Sequence, residues 1–99
     1  MNEQDLENEI CEKGLTAPRI TPEHLNKKIV REEYHVFGGV TTVCCLTLEN
    51  GFTVIGESAC ASPENYNESI GNRIAFDNAR NKIWALEGYL LKQRLFSGE

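Results

Sequence analysis

Hydrophobic and polar residues alternate from Ile29 to Phe37, where Val30, Tyr34 and Val36 are interleaved with Arg31, Glu33 and His35. A period of two predicts a strand with two unlike faces. Two further β-branched runs surround Asn50-Gly51, one from Val40 to Leu48 and one from Phe52 to Cys60. Asn-Gly in that setting is the strongest short hairpin signal, because a type I′ turn needs φ > 0 at both central residues. Gly38-Gly39 offers a second tight turn between the first run and the second. From about Asn67 to Phe96 the rhythm becomes helical, and at about 100° per residue Ala75, Phe76, Ala79, Ile83, Leu86 and Leu90 share one face. Thr21-Pro22-Glu23 adds a short helix to about Lys28, with a hydroxyl N-cap, Pro at the first helical position and an acid in the first turn. Together these elements predict an α+β fold: an antiparallel meander packed against a long C-terminal helix, preceded by a short N-terminal helix.

Two-residue loops at both turns would place Tyr34 opposite Val43 and Val43 opposite Ser58. The helix-facing side would then carry Val30, Tyr34, Val36, Val43, Cys45, Val54 and Cys60. The other side would carry Arg31, Glu33, His35, Thr42, Cys44, Leu46, Leu48, Ile55 and Glu57, and a slip of one residue would exchange the two sets. A half-apolar second sheet face, together with Ile70 and Ile74 on the far side of the helix, predicts self-association.

Composition narrows the functional classes. A net charge of −5 argues against a general DNA or RNA binder. No apolar run reaches transmembrane length and no signal-peptide pattern begins at Met1, so a soluble protein in the cytosol is expected. Residues 1–18 carry five acids before Lys13 and read as an acidic mobile arm or short frayed helix, leaving 19–99 as one domain. Cys11, Cys44, Cys45 and Cys60 lack zinc spacing, and the adjacent pair must point to opposite sheet faces; small half-buried hydrophobes are the expected role. Glu33, Glu57 and His35 would share one face, but with no nucleophile elbow, phosphate-cradling loop or metal cluster the sequence predicts no catalytic residues, no metal and no cofactor.

One charge distribution invites a binding role. Between Tyr34 and Asn72 there is no Lys or Arg, whereas the last helix holds Arg73, Arg80, Lys82, Lys92 and Arg94. Ordinary solvated charges, such as an i,i+4 pair of Arg73 with Asp77, are the plainer reading. The sharper one has Arg80 and Trp84, also four apart, presenting a guanidinium and an indole to a nucleotide.

Several runs in fixed order carry a family resemblance: Arg19 to His24, Thr42 to Cys60, Ser62 to Asn65, Ile70-Gly71 and Asn78 to Leu91. They resemble the small gene-49-like proteins of tailed phages and prophages over about residues 19–95. The layout of sheet then long helix is also similar to the phage Thoeris anti-defence sponge. That second resemblance implies a homo-oligomer, from dimer to hexamer, in the host cell cytoplasm. It would sequester a cyclic ADP-ribose isomer, or a cyclic oligonucleotide, without cleaving it. Within the matching runs, the physical choices for ligand contacts are Phe52, Asn65, Arg73, Asn78, Arg80, Lys82 and Trp84. The rival expectation is a phage accessory protein that inhibits a host protein through a protein–protein surface, marked by a flat apolar patch instead of a concave polar site.

Overall fold

Helix α2, Pro22–Lys28, starts as its sequence directs, with the Thr21 hydroxyl accepting the His24 N–H at 3.1 Å and Pro22 in the first turn. The protein's structure, a computed structural model, describes residues 2–98. Helix α1, Glu3–Glu12, precedes α2; strands β1, Ile29–Phe37, β2, Thr41–Leu48, and β3, Thr53–Ala59, follow; helix α3, Glu68–Ser97, closes the chain. The α+β expectation holds, with a three-stranded antiparallel sheet in the order β1-β2-β3. Pro63-Glu64, which repeats the Pro-Glu pair that opens α2, makes only a 3-10 turn, Pro63–Asn65; α3 begins after Asn67, whose side chain accepts the Ile70 N–H. Gly98, in the left-handed region at φ 77°, ends it.

The register differs from the expected one. Tyr34 pairs with Cys44, and Val43 with Glu57. Each turn has one more loop residue than a tight two-residue hairpin. Phe37 pairs with Thr41, leaving residues 38–40 as the loop. At the second turn Leu48 donates its N–H to the Phe52 carbonyl at 2.8 Å, leaving residues 49–51. Asn50 is not at positive φ; only Gly51 is, at 92°, which is the three-residue hairpin in which an ordinary turn is followed by a left-handed glycine. Two one-residue errors cancel for β3 and leave β2 inverted. Val43 and Cys45 face outward, and Thr42, Cys44, Leu46 and Leu48 are buried beneath the helix. Leu46 and Leu48 are therefore core residues, whereas Ile55, Ile70 and Ile74 stay exposed.

Helix α3 lies over β2 and β3, and its contact line climbs the i,i+4 ridge Ala75, Ala79, Ile83, Glu87. Each step of four residues turns the contact about 40° around the helix. Leu86 and Leu90, expected on the covering face, are thus left beside it and are 37% and 48% exposed. The crossing is close because both partners are small. A Cβ built at Gly56 of β3 would lie 2.1 Å from the Ala79 amide nitrogen and 2.4 Å from the Ala75 carbonyl oxygen. Leu25 of α2 completes the core with Leu46, Val54 and Ile83, and Ile20, Ile29, Tyr34, Phe76 and Trp84 pack around it.

The acidic segment contains α1, and two arginines tie that helix to the body. The Arg80 guanidinium donates to both Glu3 carboxylate oxygens at 2.7 and 3.1 Å, to Asn26 Oδ1 at 2.9 Å and to the Pro22 carbonyl at 3.3 Å. One turn further on, Arg19 donates to both oxygens of Glu7 at 2.9 and 2.7 Å. That bond holds the Arg19 pKa above its ordinary value. Among the described residues no helix is long and apolar enough to cross a membrane.

Candidate functional site

A concavity lies between the hairpin tip and the C-terminal half of α3. It is a trough of about 370 Å³ lined by Lys28, Leu48, Glu49, Asn50, Phe52, Ala85, Leu86, Glu87, Tyr89 and Leu90. Leu86 and Leu90 face it because the buried line of α3 has moved round to Glu87 and leaves them to one side. The apolar walls are met by a short chain of charges. Lys28 Nζ donates to Glu49, and this bond, opposed by desolvation, raises the Lys28 pKa above its ordinary value. Glu87 is buried and stands 3.4 Å from His24 Nε2, which has no hydrogen-bond partner. His24, on the short helix α2, thus sits against a buried carboxylate.

A smaller hollow of about 90 Å³ lies at the start of α3, with Asn65, Asn67, Ile70 and Gly71 on one side and Val40, Thr42, Ser58 and Cys60 on the other. Ser58 donates its hydroxyl to the Gly71 carbonyl at 2.9 Å, while the buried Thr42 hydroxyl has no partner.

The seven candidate ligand residues do not converge. Phe52, 55% exposed, lines the trough, whereas Asn65 lines the hollow at the other end of the sheet. The seven residues of β3 separate them, roughly 20 Å at strand rise. Arg80 is 9% exposed and its donors are committed to Glu3, Asn26 and Pro22. Trp84 packs against the core on the opposite flank of α3 from Phe52. Asn78 donates its side-chain N–H to the Glu57 carbonyl of β3 at 2.8 Å. Arg73 and Lys82 are exposed and form no ion pair among the described residues.

The outer sheet face is uncovered. It carries Phe37 and His35 on β1, their rings 4.3 Å apart, then Val43 and Cys45 on β2 and Ile55 on β3. Thr41, Thr47 and Thr53 lie around them, and Arg31 pairs with Glu33 at 2.6 Å. All four cysteines are free thiols; the buried Cys44 has its pKa pushed up by desolvation. Among the described residues no three His, Cys, Asp or Glu side chains are grouped to hold a metal ion.

Nothing local in the sequence marks Lys28, Glu49, Glu87, Tyr89 or Leu90 as site residues. Leu90 was assigned to the core, and Lys28 meets Glu49 only because α2 and the hairpin tip fold together across 21 positions.

Fold and surface define a small α+β protein with one apolar trough and one open sheet face. The chain belongs to the Phage protein (N4 Gp49/phage Sf6 gene 66) family, whose model matches residues 20–95. No curated protein and no solved structure gives a significant match.

Proposed function

We propose that this phage protein acts by stoichiometric binding, without turnover, and that it docks a host protein onto the open face of its sheet. The observation that carries this reading is the inversion of β2. Val43 and Cys45 join Ile55 and Phe37 on the side that α3 leaves bare, an apolar cluster with His35, Glu33 and Glu57 paired beside it and threonines at its ends. Such a patch on a rigid layer suits a protein partner better than a small polar ligand. The test is recovery of a partner from infected host cells by the wild type, by Ile55→Asp and by Lys82→Ala. A partner kept by wild type and Lys82→Ala but lost by Ile55→Asp supports the reading. Equal recovery by all three, or no partner, refutes it.

A second reading, sequestration of a cyclic ADP-ribose isomer or cyclic oligonucleotide, draws on the trough. Its volume suits a small molecule, and Phe52 and Tyr89 offer flat rings for a base. The difficulty is charge, since Lys28 is the one cation lining it and is already bound to Glu49. Calorimetry with these ligands tests it, comparing wild type with Phe52→Ala and Tyr89→Ala. No heat with any of them discards this reading.

A further inference from the structure

We propose that α1 is a detachable strap: two ion pairs hold it, it leaves without unfolding the domain, and its leaving opens a two-arginine cradle that takes an acidic helical segment of a partner protein in its place. Helix α1 buries none of its residues, and its two aliphatic side chains, Leu6 and Ile10, take no part in the core. The connector from Lys13 to Pro18 is exposed throughout, and Gly14, at φ 67°, ends the helix in the left-handed region. Among the described residues no backbone hydrogen bond joins residues 2–18 to α2, the sheet or α3. The hydrogen bonds that hold α1 are two side-chain forks, Glu3 on Arg80 at 2.7 and 3.1 Å and Glu7 on Arg19 at 2.9 and 2.7 Å. The family model starts at residue 20, so the body that carries Arg80 is defined without the strap.

The two sides of the contact are unequal, and that selects the occupant. The Arg80 side chain is 11% exposed, whereas that of Glu3 is 45% exposed. Arg80 is fixed from behind, its Nε donating to Asn26 Oδ1 at 2.9 Å and Nη2 to the Pro22 carbonyl at 3.3 Å, so these bonds hold the fork in place when Glu3 leaves. Arg19 directly precedes Ile20, which packs on the core, and stays with the body too. A nearly buried guanidinium left without a carboxylate is costly, so the emptied cradle favours another one. Bidentate pairing adds geometric selectivity to that charge. Glu3 and Glu7 are four apart on one helix, with Cβ atoms about 5–6 Å from each other, and the two forks are set to that spacing. A helix with two carboxylates one turn apart therefore fits where a lone anion does not. Helix α1 has ten residues and a helix of that length is marginal alone in water, so the released strap frays. Its return competes with the incoming segment, and the docked strap is autoinhibitory.

Hydrogen exchange of the full chain, read by mass spectrometry, tests the release. Raising the ionic strength from about 0.1 to about 1 M shortens the Debye length from about 10 to about 3 Å, and is expected to speed exchange in α1 at least about tenfold while α3 is unchanged. Glu3→Gln together with Glu7→Gln is expected to do the same at low salt. Fluorescence anisotropy tests the cradle, with a labelled peptide of residues 2–13 as the acidic helix. The peptide is expected to bind the doubly substituted chain saturably at low salt. Wild type should bind it at least about tenfold more weakly, a difference of roughly 1.4 kcal/mol, because the tethered strap competes. The same peptide carrying Glu3→Gln and Glu7→Gln is expected not to bind, a control that leaves the folded chain untouched. Exchange in α1 that follows α3, or that ignores both salt and the substitutions, overturns the strap. No binding by the acidic peptide, or equal binding by its Gln form, overturns the cradle. Equal affinity for wild type and the substituted chain overturns the competition between strap and partner.

Discussion

Gly56→Ala is the most exacting test of how sheet and helix meet. The added Cβ would lie 2.1 Å from the Ala79 nitrogen, 2.4 Å from the Ala75 oxygen and 2.7 Å from the Ala79 Cα. All three are backbone atoms of a packed helix and cannot swing aside. Ordinary contact begins near 3.4 Å, so α3 must retreat from β3 by more than an ångström. A gap of about 0.5–1 Å forfeits a quarter to a half of each dispersion contact, and Ala75, Ala79 and Ile83 all lie on the retreating ridge. Overpacking usually costs about 1–3 kcal/mol; rigid backbone on both sides places this case at or above about 3 kcal/mol. For a domain of this size that lowers the melting temperature by roughly 12–24 °C. Gly88→Ala is the matched control. A Cβ there meets nothing within 4 Å, and replacing a mid-helix glycine stabilises by about 0.5–1 kcal/mol. Thermal melts followed by far-UV circular dichroism read both. A Gly56→Ala protein melting within a few degrees of wild type would refute the close crossing, and a destabilised Gly88→Ala would refute the open environment of that turn.

Ile83→Ala, a truncation of a fully buried side chain on the contact ridge, is expected to cost about 2–5 kcal/mol in chemical denaturation. Arg80→Ala is expected to cost about 2–4 kcal/mol, the lower end applying because the Glu3 side chain is 45% exposed, and to render α1 the first site of limited proteolysis. Its effect on ligand binding should be indirect, so Arg73→Ala and Lys82→Ala are the cleaner tests of anion recognition on α3. Stability is expected to be level from neutral pH to about 9 and to fall at higher pH. Tyr34, mainly through desolvation and then through its bond to Glu32, and Cys44, through desolvation, have pKa values raised above their ordinary 10.0 and 9.0. The folded state therefore keeps protons that the unfolded chain releases, and unfolding gains as pH rises. Tyr34→Phe removes one of these groups and should flatten the alkaline slope of the melting temperature.

Local chemistry was legible wherever a few adjacent residues suffice. Thr21-Pro22 places α2, the period of two gives β1 its bounds, Asn50-Gly51 marks the hairpin, and the ridge Ala75, Ala79, Ile83 names the core of α3. The face of β2 was legible too, since Leu46 and Leu48 belong to its even set, but the assumption of two-residue loops overrode that pattern. Loop length fixes register, and register parity fixes which face is buried. No local preference distinguishes two loop residues from three at Gly38-Gly39 or Asn50-Gly51; packing against Ala75 and Ala79 decides it. The same holds for the site. Arg80 and Trp84 share a helix flank in any reading of the sequence, yet Arg80 meets Glu3, 77 positions away, and Trp84 meets the core. Helix direction is local, whereas the identity of a charged side chain's partner depends on which distant segment the fold brings alongside, and that is decided by the burial of Leu25, Leu46, Val54 and Ile83 together.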